Sequence, residues 1–329
     1  MSISNDKIQR GLNVLVKDCA DLKPDESVLI ITNDSTIDIG NCVKKTAGEI
    51  SKNVTCINIS SAVIHGVEPP EDVAKKMLSS DVIFGLTKMS MAHTKARLNA
   101  SEKGAKYLSL PDYSFEVLQS DAMSVNFKEL TEISFQLAEI LTDAEMIHIE
   151  TEAGTDFACS AKNRRANYMP GWCYSKGTFA SPPDAEVNVA PLEISGNGLL
   201  VVDGSIPCGE IGLLNEPVIL TVEKGMVVDI KGEKASVLKN IFAKAGSDKS
   251  KVIAEVGIGL NPLARLTGSM LEDEGCMGTV HIGIGSNKTI GGMNDVPFHL
   301  DHIIKNVTLT VDDKIIIRKG IFSEEFRNK

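Results

Sequence analysis

The first 145 residues alternate short apolar runs with amphipathic stretches, and that alternation admits few folds. Ile8, Leu12, Val14, Leu15 and Val16 give an amphipathic opening helix. The turn Lys23-Pro24-Asp25-Glu26 leads into an apolar strand over 27–32. Asp34 and Ser35 then cap a helix running through 43–50. Further strands are predicted over 54–59, 81–86 and 106–110. Helices are predicted after Pro69-Pro70, over 94–101 and over 127–141. Short apolar strands alternating with helices form βαβ units, so this segment is a mainly parallel α/β domain. The first strand runs into Thr32-Asn33-Asp34 without the G-x-G-x-x-G pattern that sets glycines against a pyrophosphate. A standard dinucleotide site is therefore not expected.

The grammar changes after Met146. Strand-like runs follow one another over 146–151, 198–204, 218–222, 226–230, 252–258, 278–285, 306–311 and 314–318. One helix, about 233–245, interrupts them. This reads as a β-rich α+β domain over 146–329, following the α/β domain over 1–145.

Charge and cysteine usage exclude several function classes. A net charge of −10 opposes nonspecific grip on nucleic acid and a polybasic membrane anchor. The opening MSISNDKIQR has no apolar region of a signal peptide. No apolar run approaches the ~18 residues that cross a bilayer. The seven cysteines lack C-x-x-C spacing, so free thiols are expected and a cysteine zinc site is not. Together these readings predict a cytoplasmic protein without nucleic-acid or membrane partners.

Chemistry concentrates in the second half. Pro297-Phe298-His299-Leu300-Asp301-His302 holds an H-x-D pair. On a strand, residues i and i+2 share a face, so His299 and Asp301 present an imidazole beside a carboxylate. Such a pair suits zinc, manganese, cobalt or ferrous iron, although it also describes a polar strand start facing water. His281 interrupts one apolar, glycine-rich strand and Glu255 another. Each could be a core histidine or an ion-pair partner. A charge in an apolar strand is costly unless paired or metal-bound, and three such segments in one domain favour a shared ion. Glu186, in Pro182-Pro183-Asp184-Ala185-Glu186-Val187, adds a carboxylate or is simply a turn residue. Gly257, Gly259, Gly283, Gly285, Gly291 and Gly292 mark either close approaches or bulges.

At these residues the sequence resembles the thermophilic-type metallo-aminopeptidases, the family of aminopeptidases T and S. The resemblance runs through Gly154-Thr155-Asp156, Pro183-Asp184-Ala185-Glu186-Val187 with Ala190-Pro191, and Glu255 to Asn261. It continues through Asp273-Glu274, Gly278-Thr279-Val280-His281 and the H-x-D pair. It implies a metal set of Glu186, Glu255, His281, His299 and Asp301, and a homodimer. The sequence departs from that family where a ligand tyrosine is expected, because Lys288 stands there. The stretch Gly285-Ser286-Asn287, Gly291-Gly292, then Pro297 to Asp301 also resembles the related ferrous 2,5-dihydroxypyridine dioxygenase. That relative carries histidine where Glu255 stands and lacks the counterpart of His281.

The ligand inventory leads to a metal-dependent aminopeptidase-like hydrolase as the expected activity. Zinc, cobalt or manganese would activate a water against a small peptide, with Glu193 or Glu274 as proton shuttle. The alternative is a mononuclear ferrous ring-cleaving dioxygenase using Glu255, His299 and Asp301 on a small molecule. A further alternative is a silent binding homologue. Under any metal-binding reading, His299→Ala is expected to strip bound metal and His302→Ala to retain it, because His302 points away from Asp301 on a strand. Elemental analysis of both variants checks this; equal loss in the two, or none in His299→Ala, refutes the pair.

Overall fold

The computed structural model describes residues 5–326, so Met1 to Ser4 of the polar N-terminal stretch lie outside it. The chain forms two compact units interleaved in sequence: residues up to Lys128 with Gly171–Pro183, and Glu129–Pro170 with Asp184 onward. The fold is mixed α/β, with a parallel sheet in one unit and antiparallel sheets in the other. No helix among the described residues is long and apolar enough to cross a membrane.

In the first unit the described residues hold a five-stranded sheet. Val28–Thr32 pairs in parallel with Val54–Asn58 on one side and Val82–Leu86 on the other. Lys106–Ser109 and Phe179–Ala180 extend the sheet, also in parallel. The strands of sequence VLIIT and VIFGL are buried at every position, which is why they read as unbroken apolar runs rather than as alternation. Leu29, Ile31, Ile83 and Tyr107 pack with Val73 and Met77 of one helix and Ala96 and Ala100 of another. The opening helix Asn5–Asn13 continues into a wider π-helical segment over Val14–Cys19. The strand Phe179–Ala180 went unpredicted because two residues carry no periodicity.

The second unit is antiparallel. Eight described strands form one sheet, in which Ile147–Glu150 pairs with both Asp156–Cys159 and Thr308–Val311. Seven form the other, centred on Ile253–Gly259, Val280–Gly285 and His299–Ile304. Glu186–Val189 borders the first of these three. Cross-strand register aligns Glu255 with Gly283 and Gly283 with Asp301. It also aligns Gly257 with His281, Gly259 with Glu186, and Gly285 with His299. One face of the sheet therefore alternates charged or imidazole side chains with glycines. Val256, Ile258, Ile282, Ile284 and Ile304 occupy the other face, all fully buried.

His302 lies among these apolar residues, as the strand alternation requires. Its Nδ1 donates to the Ile282 carbonyl at 3.1 Å and its ring stacks on Phe242. Burial pushes the imidazole down to about 4, against the smaller opposing pull of Asp301 and the backbone carbonyls. The unfolded chain thus takes up a proton near its ordinary value of 6.5 that the folded chain refuses. The stability this neutral ring contributes is complete above that value and is lost as pH falls through 4. In metal-free protein, His302→Phe is expected to gain on the parent by roughly 3 kcal/mol between those limits. Denaturant titrations across the range measure it, and a gap that does not change with pH would refute it.

Candidate metal centre

The alternating face gathers all five residues that the sequence analysis offered as ligands. His281 Nε2 lies 3.0 Å from Glu186 Oε2 and 3.7 Å from Glu255 Oε1. His299 Nε2 lies 3.2 Å from Glu255 Oε2 and 3.2 Å from Asp301 Oδ1. Glu255 thus stands between two imidazoles. Donor atoms of Glu186, Glu255 and His281 fall within 4.8 Å of one another, as do those of Glu255, His299 and Asp301. Asp184, Glu186 and Glu274 make a third such group. Asp184 belongs to the motif that carries Glu186, but nothing in its spacing distinguished it from a turn residue.

Glycine makes this crowding possible. A Cβ on Gly257 would overlap the His281 ring. A Cβ on Gly283 would lie 2.7 Å from both the Glu255 Cβ and the His299 Nε2. His281 leans over the bare backbone of Gly257, and Glu255 and His299 over that of Gly283, so these two glycines mark close approaches.

The electrostatics suit a cation. Asp184, Glu186, Glu255 and Asp301 are buried and Glu274 partly so, against two imidazoles. Burial pushes Asp184 and Glu274 well up, and the neighbouring carboxylates add to it. Burial opposes charge on His281 and His299 too, but Glu186 and Glu255 raise the first well above its usual value. Asp301 and Glu255 do the same for the second. Asp301 itself goes down, because His299 and His281 outweigh its burial. The sealed Asp184 Oδ1 and Glu274 Oε1 accept no hydrogen bond from described residues. Protons are thus held where a divalent cation would replace them. A nitrogen and carboxylate oxygens around one point match the donors such a cation takes.

The second ring nitrogen of His299 is organised too. His299 Nδ1 faces the Ser286 carbonyl at 2.8 Å, and a carbonyl only accepts, so Nδ1 carries the proton and Nε2 is the nitrogen offered to the cluster. Asn188 Nδ2 donates to Glu186 Oε1 at 2.7 Å. His299 is the accessible member, with 32% of its side chain exposed. Glu274 joins the cluster and shares a hydrogen bond with Asp301. Glu193 stands elsewhere, in an ion pair with Arg164 at 2.6 Å. Lys288 is exposed in the turn Lys288–Ile290 and takes no part in the cluster.

A family model described as 2,5-dihydroxypyridine 5,6-dioxygenase matches residues 16–324. The chain belongs to that family. A 2,5-dihydroxypyridine 5,6-dioxygenase of Pseudomonas putida is 28% identical over 192 residues, a match spanning 55% of this chain and 55% of the relative. The match thus covers little more than half the length of that curated relative. The structure of 2,5-dihydroxypyridine dioxygenase from Pseudomonas putida KT2440 superimposes with a TM-score of 0.83 at 20% identity, over 98% of this chain and 99% of that one. AmpT from Thermus thermophilus superimposes with a TM-score of 0.69 at 15% identity, over 96% and 99%.

These findings overturn the expected aminopeptidase-like hydrolase. The family that matches nearly the whole chain is an oxidoreductase family, and the tie to AmpT is one of fold. The G-T-D, P-D-A-E-V and E-V-G-I-G-L-N segments fall on strands and turns of this chain. They position carboxylates without deciding which reaction those carboxylates serve.

Gly283→Ala is expected to weaken divalent-cation binding by more than tenfold, because the new methyl pushes Glu255 and His299 off their positions in a site whose geometry sets affinity. Gly48→Ala, which meets open space, is the control. Anaerobic Co2+ titration followed by absorption compares them; parent-like affinity in Gly283→Ala would refute the packing argument.

Proposed function

We propose that this protein is a mononuclear ferrous dioxygenase that opens a hydroxylated pyridine ring. The observation that carries the reading is the convergence of Glu255, His299 and Asp301 in a chain matched from residue 16 to 324 by the 2,5-dihydroxypyridine 5,6-dioxygenase family. These three residues would hold the iron as a one-histidine, two-carboxylate variant of the facial triad. Bound ferrous iron supplies the one-electron chemistry by which dioxygen reacts with a closed-shell aromatic ring, a task no side chain in the cluster can perform.

The chain's own groups do the rest. Glu255 and Asp301 bring two negative charges against the cation, and His299 brings a neutral nitrogen once its Nε2 proton has left. The partial exposure of His299 places the approach for substrate on its side of the cluster. Burial, and then the charges of Asp301, Glu186 and Asp184, raise Glu274 well above the usual carboxyl value, so it holds its proton beside Asp301 more tightly than a free carboxyl does. That carboxyl is the group we assign to exchange a proton with a ring hydroxyl. His281, held between Glu186 and Glu255, keeps those carboxylates apart and fixes the Glu255 carboxylate between the two imidazoles.

Oxygen uptake by iron-loaded protein with 2,5-dihydroxypyridine tests this. One equivalent of dioxygen is expected per ring lost, with the aromatic absorbance falling in step. His299→Ala and Asp301→Ala are each expected to lose more than the roughly 10–100-fold that follows removal of an outer partner of a metal ligand. Iron bound with no oxygen uptake would overturn the dioxygenase reading and favour a silent binding homologue.

A further inference from the structure

The strands Val280–Gly285 and His299–Ile304 are joined by a loop, 286–298, whose internal bonding is unusually complete. Ser286 N donates to the Phe298 carbonyl at 2.7 Å, and Ser286 Oγ donates to the Asn294 carbonyl. Asn287 is fully buried. Its backbone N–H donates to the Asn294 carbonyl, and its Oδ1 accepts from Asn294 N at 2.8 Å. Its carbonyl accepts from Ile290 N and Gly292 N. Gly292 lies so close to the Asn287 amide that a Cβ there would overlap it. Asn294 Nδ2 donates to the Gly285 carbonyl, which ties the loop back to the strand end.

One side chain outside the loop holds this arrangement in place. Glu193 Oε1 accepts from Met293 N at 2.7 Å and from Asn287 Nδ2 at 3.0 Å. Its Oε2 accepts from Arg164 Nη2 at 2.6 Å. The buried Arg164 reaches the loop itself, with Nη1 donating to the Gly291 carbonyl at 2.7 Å. Burial works against charge on Glu193, but the Met293, Asn287 and Arg164 donors outweigh it and keep the carboxylate ionised. Both carboxylate oxygens are thus engaged, one by the loop and one by the guanidinium. Asn167 adds a second tie: its Nδ2 donates to the Ile290 carbonyl and to Asn188 Oδ1. Asn188 in turn holds Glu186.

The carbonyl that matters is that of Ser286, which holds His299 Nδ1 and aims Nε2 at Glu255 and Asp301. We propose that Glu193, fixed by Arg164, is a positioning residue that locks the 286–294 loop so that the Ser286 carbonyl orients His299 for the metal. This rests on the reading of His299 as a metal ligand and extends it to residues that touch neither metal nor substrate.

The test uses Zn2+, which is diamagnetic, with chelator competition for affinity and the 15N-coupled Nδ1–H resonance of His299 for orientation. In Glu193→Ala, Zn2+ affinity is expected to fall about tenfold or more, in the range seen for loss of outer partners. The His299 Nδ1–H signal should exchange with water where the parent's is protected. Glu193→Gln keeps an acceptor for Asn287 and Met293 but sets an amide NH2 against the Arg164 donor, so it should lose less than Glu193→Ala in both. Arg164→Lys keeps the charge but offers one nitrogen in place of the two that reach Glu193 and Gly291, so it should fall between Glu193→Ala and the parent. A role confined to stability would lower the unfolding midpoint and leave the folded protein's affinity and Nδ1–H protection unchanged. That result in Glu193→Ala, or in Arg164→Lys if the first variant does not fold, overturns the proposal. Should the parent bind no divalent cation, the ligand reading fails by itself, and the Nδ1–H signal of metal-free protein still decides the positioning.

Discussion

Carboxylates packed together out of water constrain everything else in this protein. Asp184, Glu186, Glu255 and Asp301 are sealed beside one another with Glu274 at their margin, and two imidazoles are too little charge to balance them. Burial, and then each like-charged neighbour, raises the cost of ionising Asp184 and Glu274, while the surrounding carboxylates draw protons to His281 and His299. A divalent cation at this point would relieve that cost, and the donor atoms could hold one. A sheet that served stability alone would fill the same face with aliphatic side chains, as its opposite face does.

Assembling such a cluster on a flat sheet raises a steric problem that glycine solves. Neighbouring strands lie about 4.8 Å apart, too close for a carboxylate or imidazole at every paired position to lean toward a common point. Here each functional side chain is paired with glycine on the adjoining strand: Glu255 and Asp301 with Gly283, His281 with Gly257, His299 with Gly285, Glu186 with Gly259. The glycines weaken the strands locally. The apolar layer of Val256, Ile258, Ile282 and Ile284 behind them offsets that loss.

The same scaffold occurs in a dioxygenase and in AmpT, and the shared parts are the strands and turns, not the reaction. A motif such as P-D-A-E-V records where a strand delivers a carboxylate. Whether that carboxylate meets one ion or two, and what the ion does, depends on side chains from other strands and from the connecting loop. The 286–298 connection shows this most clearly. Its resemblance to the dioxygenase was visible in sequence, while the reason for its order, Glu193 and Arg164 acting from outside it, was not.

The sequence by itself determined the fold class and most of the candidate cluster. Unbroken apolar runs separated by helices specify a buried parallel sheet, and alternation on 253–259 and 280–285 places Glu255 and His281 on one face each. The i, i+2 spacing put His299 with Asp301 and turned His302 away into the core, where it lies against Phe242. Those signals are local, so they survive in one dimension. Tertiary structure alone decided which strands are neighbours, and hence that Glu255 lies between two imidazoles. It also decided that Asp184 and Glu274 enter the cluster, and that Glu193 leaves it for Arg164, 29 residues away along the chain. Register between distant strands and pairing between distant charges depend on the packing of the whole sheet, and no short stretch of sequence encodes them.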